Sequence, residues 1–336
     1  MKWILAAPYR PSLKHGLWKI VKQQNSEIEL FISPTLYTHD RSRSHTSSSQ
    51  WKDYWLHSKH AWTEAQQKKA GIITAFPQLA ACTAIRKKVS FNRNSTPLIA
   101  STFNIGALPN NYKKILTRSA LKHIDKFIVP SSAEKIKYSE YLNLPLSRFE
   151  FIPLHKPIIE PDTDENKENP FILSMGSANR DYATLFKAME GLSYKLVVVC
   201  PKERLTNLSI PKNVEVLSSL TLNDCRRLVQ QAKLNVVPIK NQQTASGQVT
   251  VIEAMMFKKA VIATNTIGTT DYIEHGKTGW LTDNQSVDNL IDAIEILWAD
   301  NSLRNTIAAQ AQSFVKEQLS YEKAAEKYLN ILNDFN

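Results

Sequence analysis

Residues 244–283, TASGQVTVIEAMMFKKAVIATNTIGTTDYIEHGKTGWLTD, decide the fold. A polar loop of Thr244, Ser246, Gly247 and Gln248 opens an apolar helix that carries one acid, Glu253. Val261-Ile262-Ala263 follows as a buried strand, and a Gly-Thr-Thr-Asp turn leads on to Gly276 and Gly279. A loop entering a helix N-terminus gathers unpaired backbone N–H groups and the positive end of the helix dipole, which suits a diphosphate. Gly247 lets the backbone approach a ligand, while the hydroxyls and amide beside it supply hydrogen bonds. A plain N-cap by Ser246 or Thr244 is the alternative. Glu253 needs a partner on so apolar a helix: ribose hydroxyls are favoured, with a salt bridge or cap as the other solution. Together these parts imply a pocket for a nucleotide sugar.

Working outward, short apolar runs alternate with helical stretches. The first set covers 3–7, 29–32, 71–75, 98–101, 126–129 and 149–152, and the second covers 170–175, 195–200, 214–217, 234–238, 260–264 and 279–282. Between the sets, residues 160–169 (EPDTDENKEN) are acidic, polar and flanked by prolines, and are expected to be a linker. The fold class expected is α/β, two Rossmann-like doubly wound domains facing a central cleft. The expected domains are 1–160 for the acceptor, 161–318 for the nucleotide sugar, and a helical segment at 319–336.

The formal net charge is +11, and its distribution is uneven. Residues 1–160 hold 24 Lys/Arg against 10 Asp/Glu, whereas 161–336 hold 18 against 21. A nucleotide pocket needs only one or two cations, so the first half is expected to meet another anionic partner, an anionic membrane surface or an acidic glycan among them. Residues 41–50 (RSRSHTSSSQ) read as a basic, disordered loop or a substrate-closing one. A helix beginning near Trp51, with Trp55 on the same face, suits a membrane interface or ordinary packing. Cys82, Cys200 and Cys225 lack metal-ligand spacing and suit a reduced compartment. The apolar opening is too short for a signal-peptide core, and no run approaches the ~18 residues of a membrane span. The expected location is cytoplasmic, or peripheral at the inner membrane face.

Further candidates follow strand ends, where ligands of doubly wound sheets bind. Arg180, in the loop containing Gly176 and Ser177, is placed to stabilise a departing diphosphate, with a surface contact to Asp181 as the alternative. Lys202 is a second, weaker cation, with an ordinary surface lysine as the favoured alternative. Arg10, His15 and Gly16 follow the first strand and Asn104 follows a later one. His15 is a candidate base or hydroxyl binder, and Asn104 a hydroxyl binder or an Asx turn. No Ser-His-Asp order, Cys-His pair, HExxH or P-loop is visible.

The run 246–281 resembles the C-terminal half of retaining GT-B glycosyltransferases of family 4, with a weaker likeness over 170–315 and over 129–153. The resemblance implies that Glu253 is the second acid of the family's Glu-x7-Glu motif and binds the donor ribose. It places Arg180 in the phosphate clamp and Leu217 and Ser218 where backbone groups hold the base. It also implies that the terminal helix returns to the first domain, and that no metal or cofactor is needed beyond the nucleotide-diphosphate sugar as co-substrate. The chain departs from the family at Ala245, which replaces the first acid, at Ser177, which replaces an arginine, and in its first loop, which lacks a glycine pair.

The expected activity is therefore sugar transfer to a glycan or lipid-linked acceptor, with retention, in surface polysaccharide or glycoconjugate synthesis. A GT-B sugar-nucleotide epimerase and a basic nucleic-acid-binding protein are the alternatives. Nucleic acid is not the expected partner, since a nucleic-acid groove requires neither the 244–248 loop nor the acid behind it.

Overall fold

Trp3 and Leu5 pack on one face of a parallel sheet and Ile4 and Ala6 on the other, and all four are buried. A strand covered on both faces has no polar side, so it reads as a continuous apolar run. The computed structural model describes residues 1–9, 11–35, 37, 47–90 and 95–335. They divide into two compact units, Met1–Pro153 with Tyr321–Asn336, and Leu154–Ser320. Arg10 and residues 41–46 of the basic serine-rich stretch lie outside the described residues.

The first unit contains β1 (Lys2–Ala6), β2 (Glu29–Ile32), β3 (Gly71–Ala75), β4 (Leu98–Ser101), β5 (Lys126–Val129) and β6 (Phe149–Phe151). All pair in parallel, in the order β2-β1-β3-β4-β5-β6. Its helices are α1 (Leu17–Gln24), α2 (Ser48–Lys68), α3 (Pro77–Val89), α4 (Asn111–Leu121) and α5 (Ser132–Leu142), with the terminal helix Tyr321–Asn333. One sheet face is covered by α2 to α5 around Tyr54, Leu79, Phe127 and Tyr138. The other carries α1 and the terminal helix, whose Ala325, Tyr328 and Leu332 join Trp3, Ile99 and Ile128. The Tyr328 hydroxyl also hydrogen-bonds the Ser101 hydroxyl. Ser47 starts α2 with a capping box, its side chain accepting from the Gln50 N–H while Gln50 reaches back.

The second unit contains β7 (Phe171–Met175), β8 (Lys195–Val199), β9 (Val214–Leu217), β10 (Leu234–Val237), β11 (Val261–Thr264) and β12 (Trp280–Thr282). They form a second all-parallel sheet in the order β12-β11-β10-β7-β8-β9. Its helices are α6 (Tyr182–Glu190), α7 (Leu222–Gln231), α8 (Gln248–Met256), α9 (Val287–Ala299) and α10 (Asn301–Gln318). The strand order reverses between β7 and β10, and in such sheets the crevice beyond that reversal is where ligands sit. The loops after β7 and β10 open there.

The acidic stretch 160–169 is not a free linker. The Asp162 N–H donates to Gln230 Oε1 (2.7 Å), the Asn166 N–H to the Gln231 carbonyl (3.0 Å), and Lys259 Nζ meets Glu165 at 2.9 Å. The stretch therefore lies as a strap on the second unit. Lys259 is buried, and its charge needs a nearby carboxylate; Glu165 supplies it.

Candidate active site

The site is built at the C-terminal ends of β7, β8, β9 and β10. β7 ends at Met175, and Gly176 follows with φ +117°, a conformation that L side chains rarely adopt. The chain then folds back so that Arg180 covers Gly176. The Arg180 Nε donates to the Met175 carbonyl (2.9 Å), Nη1 to the Ala178 carbonyl (3.0 Å) and Nη2 to Thr250 Oγ1 (3.0 Å). Thr250 belongs to the first turn of α8, so the guanidinium is held beside that helix N-terminus. Burial lowers its pKa below the ordinary arginine value, yet arginine stays a cation at neutral pH. The surface contact with Asp181 does not form; the Asp181 carboxylate instead caps α6, accepting from the Thr184 N–H at 3.2 Å.

The N-terminus of α8 is not capped by any side chain. Gly247 occupies the N-cap with φ 85°, where a Cβ would come within 2.8 Å of Ile239 Cδ1. Ser246 does not turn inward to cap the helix; its hydroxyl accepts from Asn179 Nδ2 at 2.9 Å. The same amide nitrogen donates to the Asn241 carbonyl (3.0 Å), and Asn179 Oδ1 accepts from the Asn241 N–H (2.9 Å). Asn179 thus joins the loop after β7 to the loop after β10. Thr244 is half-buried in that second loop, and Gln248 is buried at the start of α8. Ala245, at the place of the missing acid, is buried against Gly268.

A cavity of about 400 Å³ lies beyond β7, β8 and β9 and is lined by Gly176, Ser177, Cys200, Lys202, Ser218 and Ser219, among others. That volume falls within the range of small-ligand pockets. It brings together four of the residues named from the sequence, Gly176, Ser177, Lys202 and Ser218. Leu217 is not part of the lining; it packs against the core beneath. Gly176 connects this cavity to Arg180, and Arg180 connects it to α8.

Glu253 lies farther along α8 and is 7% exposed. Its Oε1 accepts from Lys156 Nζ at 3.2 Å and lies 3.9 Å from Arg226 Nε on α7. The acid is thus ion-paired in this structure, which is the salt-bridge alternative left open by the sequence.

His15 and Asn104 belong to the first unit, in loops after β1 and β4. His15 is exposed, with Nδ1 3.2 Å from the Ser12 hydroxyl. Asn104 forms an Asx turn, its Oδ1 accepting from the Gly106 N–H at 2.8 Å. Beside it the buried Tyr138 hydroxyl accepts from the Ile105 N–H (3.2 Å) and donates to Glu134 (2.8 Å). Burial, then Glu134, pushes the Tyr138 phenol above its usual pKa. Among the described residues no group of three His, Cys, Asp or Glu side chains is arranged to hold a metal ion. None of their helices is long and apolar enough to cross a membrane.

Sequence reasoning missed Asn179, Thr250, Gly268 and Lys156. Asn179 (φ 54°) carried a weak signal, since asparagine tolerates the left-handed region in turns. Gly268 had a clearer one, as the glycine that opens the Gly-Thr-Thr-Asp turn. Lys156 had none, because its partner is far along the chain.

Residues 155–314, nearly all of the second unit, match the family model described as Glycosyl transferases group 1. The curated relative Poly(ribitol-phosphate) alpha-N-acetylglucosaminyltransferase of Staphylococcus aureus (strain COL) is 30% identical over 96 residues, 28% of this chain and 20% of its own length. The chain therefore spans only a fifth of that relative. Among solved structures, sucrose-phosphate synthase from Thermosynechococcus elongatus superposes with a TM-score of 0.74 at 14% identity, covering 99% of this chain and 98% of the other. Anabaena HepE in complex with UDP gives 0.70 at 15% identity, over 99% and 100%. At these identities the likeness is one of fold, the pair of Rossmann-like units of the GT-B type.

Proposed function

We propose, from the premise that the second unit belongs to the glycosyl transferases group 1 family, that this chain is a glycosyltransferase using a nucleotide-diphosphate sugar. One observation carries the reading: a cavity of about 400 Å³ is lined by Gly176, and the Arg180 guanidinium that covers Gly176 bonds Thr250 at the uncapped N-terminus of α8. Ser218 and neighbouring backbone hold the base, and Lys202 with Ser177 lines the approach. Glu253 takes the ribose hydroxyls, exchanging part of its contact with Lys156 for them. Thr244, Ser246, Gly247 and Gln248 present backbone and side-chain donors to the diphosphate and the sugar.

As the bond from the anomeric carbon to the diphosphate breaks, positive charge grows on the sugar and negative charge on the leaving group. Arg180 and the N–H groups opening α8 are fixed in place before that charge develops, so they stabilise the transition state without reorganising. His15 and Asn104 of the first unit contact the acceptor, a glycan or lipid-linked sugar. The basic excess of residues 1–160 favours an anionic one. Transfer proceeds with retention, in surface polysaccharide or glycoconjugate synthesis, at the inner face of a membrane. No metal or cofactor takes part; cations and helix dipole do that work. The Anabaena neighbour is a complex with UDP, which makes UDP the first nucleotide to try.

Thermal unfolding against UDP, GDP, ADP, TDP and CMP tests the reading. A ligand at about 100 times its Kd adds about 2.7 kcal/mol. One nucleotide is expected to raise the transition selectively, and the effect should shrink markedly in Arg180→Ala. Silence from all five would overturn it.

A further inference from the structure

From residue 65 to residue 124 the chain contains no aspartate or glutamate, while ten of those sixty positions are lysine or arginine. The stretch includes α3 and α4, and both leave large apolar side chains in water. On α4, Tyr112, Ile115 and Leu116 are 66%, 69% and 63% exposed, and on α3 Val89 is 74% exposed. The spacing 112, 115, 116 places three of them on one helical stripe. Only Leu121 of α4 is buried, so the stripe is what the helix presents outward rather than what anchors it.

Between α2, α3 and α4 lies an open groove of about 760 Å³, lined by Trp51, Ala81, Ile85, Ile105 and Leu116 with Lys88 and Lys113. Lys88 donates to Ser119 at 3.2 Å, but among the described residues Lys88, Lys113, Lys114 and Lys122 form no ion pair with an acid. By contrast Lys87, which points inward, is paired with Asp125, the first acid after the stretch. The lysines of this face are therefore unneutralised and sit among exposed aliphatic groups.

Few surroundings satisfy both features. Nucleic acid would answer the charge, but base stacking needs aromatic platforms, and most of the exposed groups are aliphatic. An anionic bilayer takes aliphatic and aromatic side chains at its acyl boundary and lysines at its headgroups. We propose that the face formed by α3 and α4 docks on an anionic lipid bilayer. It shares no residue with the nucleotide pocket and stands apart from the activity assigned to that pocket.

The test is co-sedimentation of the full chain with phosphatidylcholine vesicles, plain or containing about 30% phosphatidylglycerol. Binding is expected to the anionic vesicles only, and to weaken with salt. The double variant Ile115→Ser/Leu116→Ser should bind about tenfold or more weakly, since two exposed side chains lose their apolar burial. Lys113→Gln and Lys114→Gln should each cost about fivefold. All these positions are exposed or at the surface, so melting temperatures should stay unchanged. Equal binding to plain vesicles, no binding to either, or an Ile115→Ser/Leu116→Ser protein that binds like the parent would overturn the proposal. So would full displacement of the vesicles by duplex DNA. A nucleoside-diphosphate shift measured on the same preparation reads the second unit separately.

Discussion

The Arg180 guanidinium lies over Gly176 so closely that a Cβ on the glycine would stand 2.6 Å from Nη2. The absent side chain is thus a condition for the arginine's position. Gly176→Ala must displace Arg180 from its bonds to Met175, Ala178 and Thr250, at about 1–3 kcal/mol in stability. Arg180→Ala removes a charged donor from the proposed diphosphate site, an effect of about 1.5–3 kcal/mol on nucleotide affinity. Because both changes act through one guanidinium, the double variant should bind nucleotide no worse than Arg180→Ala alone, which isothermal titration can check.

Glu253 is held by Lys156 and approached by Arg226, so its removal has two consequences. Glu253→Ala should lower stability by about 1–3 kcal/mol, discounted for the partial exposure of both cations. It should also weaken nucleoside-diphosphate binding by about tenfold, or about 1.4 kcal/mol. Lys156→Met should lower stability without a tenfold loss of affinity. Undiminished nucleotide binding in Glu253→Ala would show the acid to be purely structural.

Gly268 touches the loop that precedes α8. A Cβ there would lie 2.5 Å from the Ser246 nitrogen and 2.8 Å from Ala245 Cα, both backbone atoms that cannot swing aside. Gly268→Ala is expected to cost about 1–3 kcal/mol and to weaken nucleotide binding, although position 268 carries no side chain to contact a ligand. Unchanged melting temperature and affinity would contradict this coupling.

His57 is buried in α2 with Nδ1 3.1 Å from the Tyr37 hydroxyl, and burial lowers its pKa from 6.5 to about 4. The folded state therefore disfavours the imidazolium. The stability this contributes is complete above pH 6.5 and declines as pH falls toward 4. Between neutral pH and pH ~4.5 the loss should be about 2–3 kcal/mol, visible by urea unfolding of the first unit. His57→Gln, which cannot take up that proton, should flatten the acid limb.

Strand positions were legible with little error. All twelve apolar runs are strands whose ends move by at most one residue. Sheets buried on both faces impose unbroken apolar runs, and the loops between them interrupt those runs sharply. The loop-to-helix transition at 244–248 was equally plain, because Gly247 before an apolar helix is a local signal. The linker at 160–169 was misread for the opposite reason. Its composition is that of a linker, but its bonds to Gln230, Gln231 and Lys259 come from residues 65 to 94 positions away.

The same division runs through the site. Local pattern along the chain was enough to specify two doubly wound units, a glycine-containing polar loop opening α8, and an arginine after the first strand of the second unit. Those features depend on neighbours within a few positions, where backbone geometry and side-chain type act directly. The partners of Glu253, the bridge from Asn179 to Ser246, the fit of Gly268 and the unneutralised lysines beside exposed Ile115 and Leu116 depend on which distant segments meet. Side-chain periodicity records how much of a residue is buried, not against what, so those relationships emerged only when the folded chain brought the segments together.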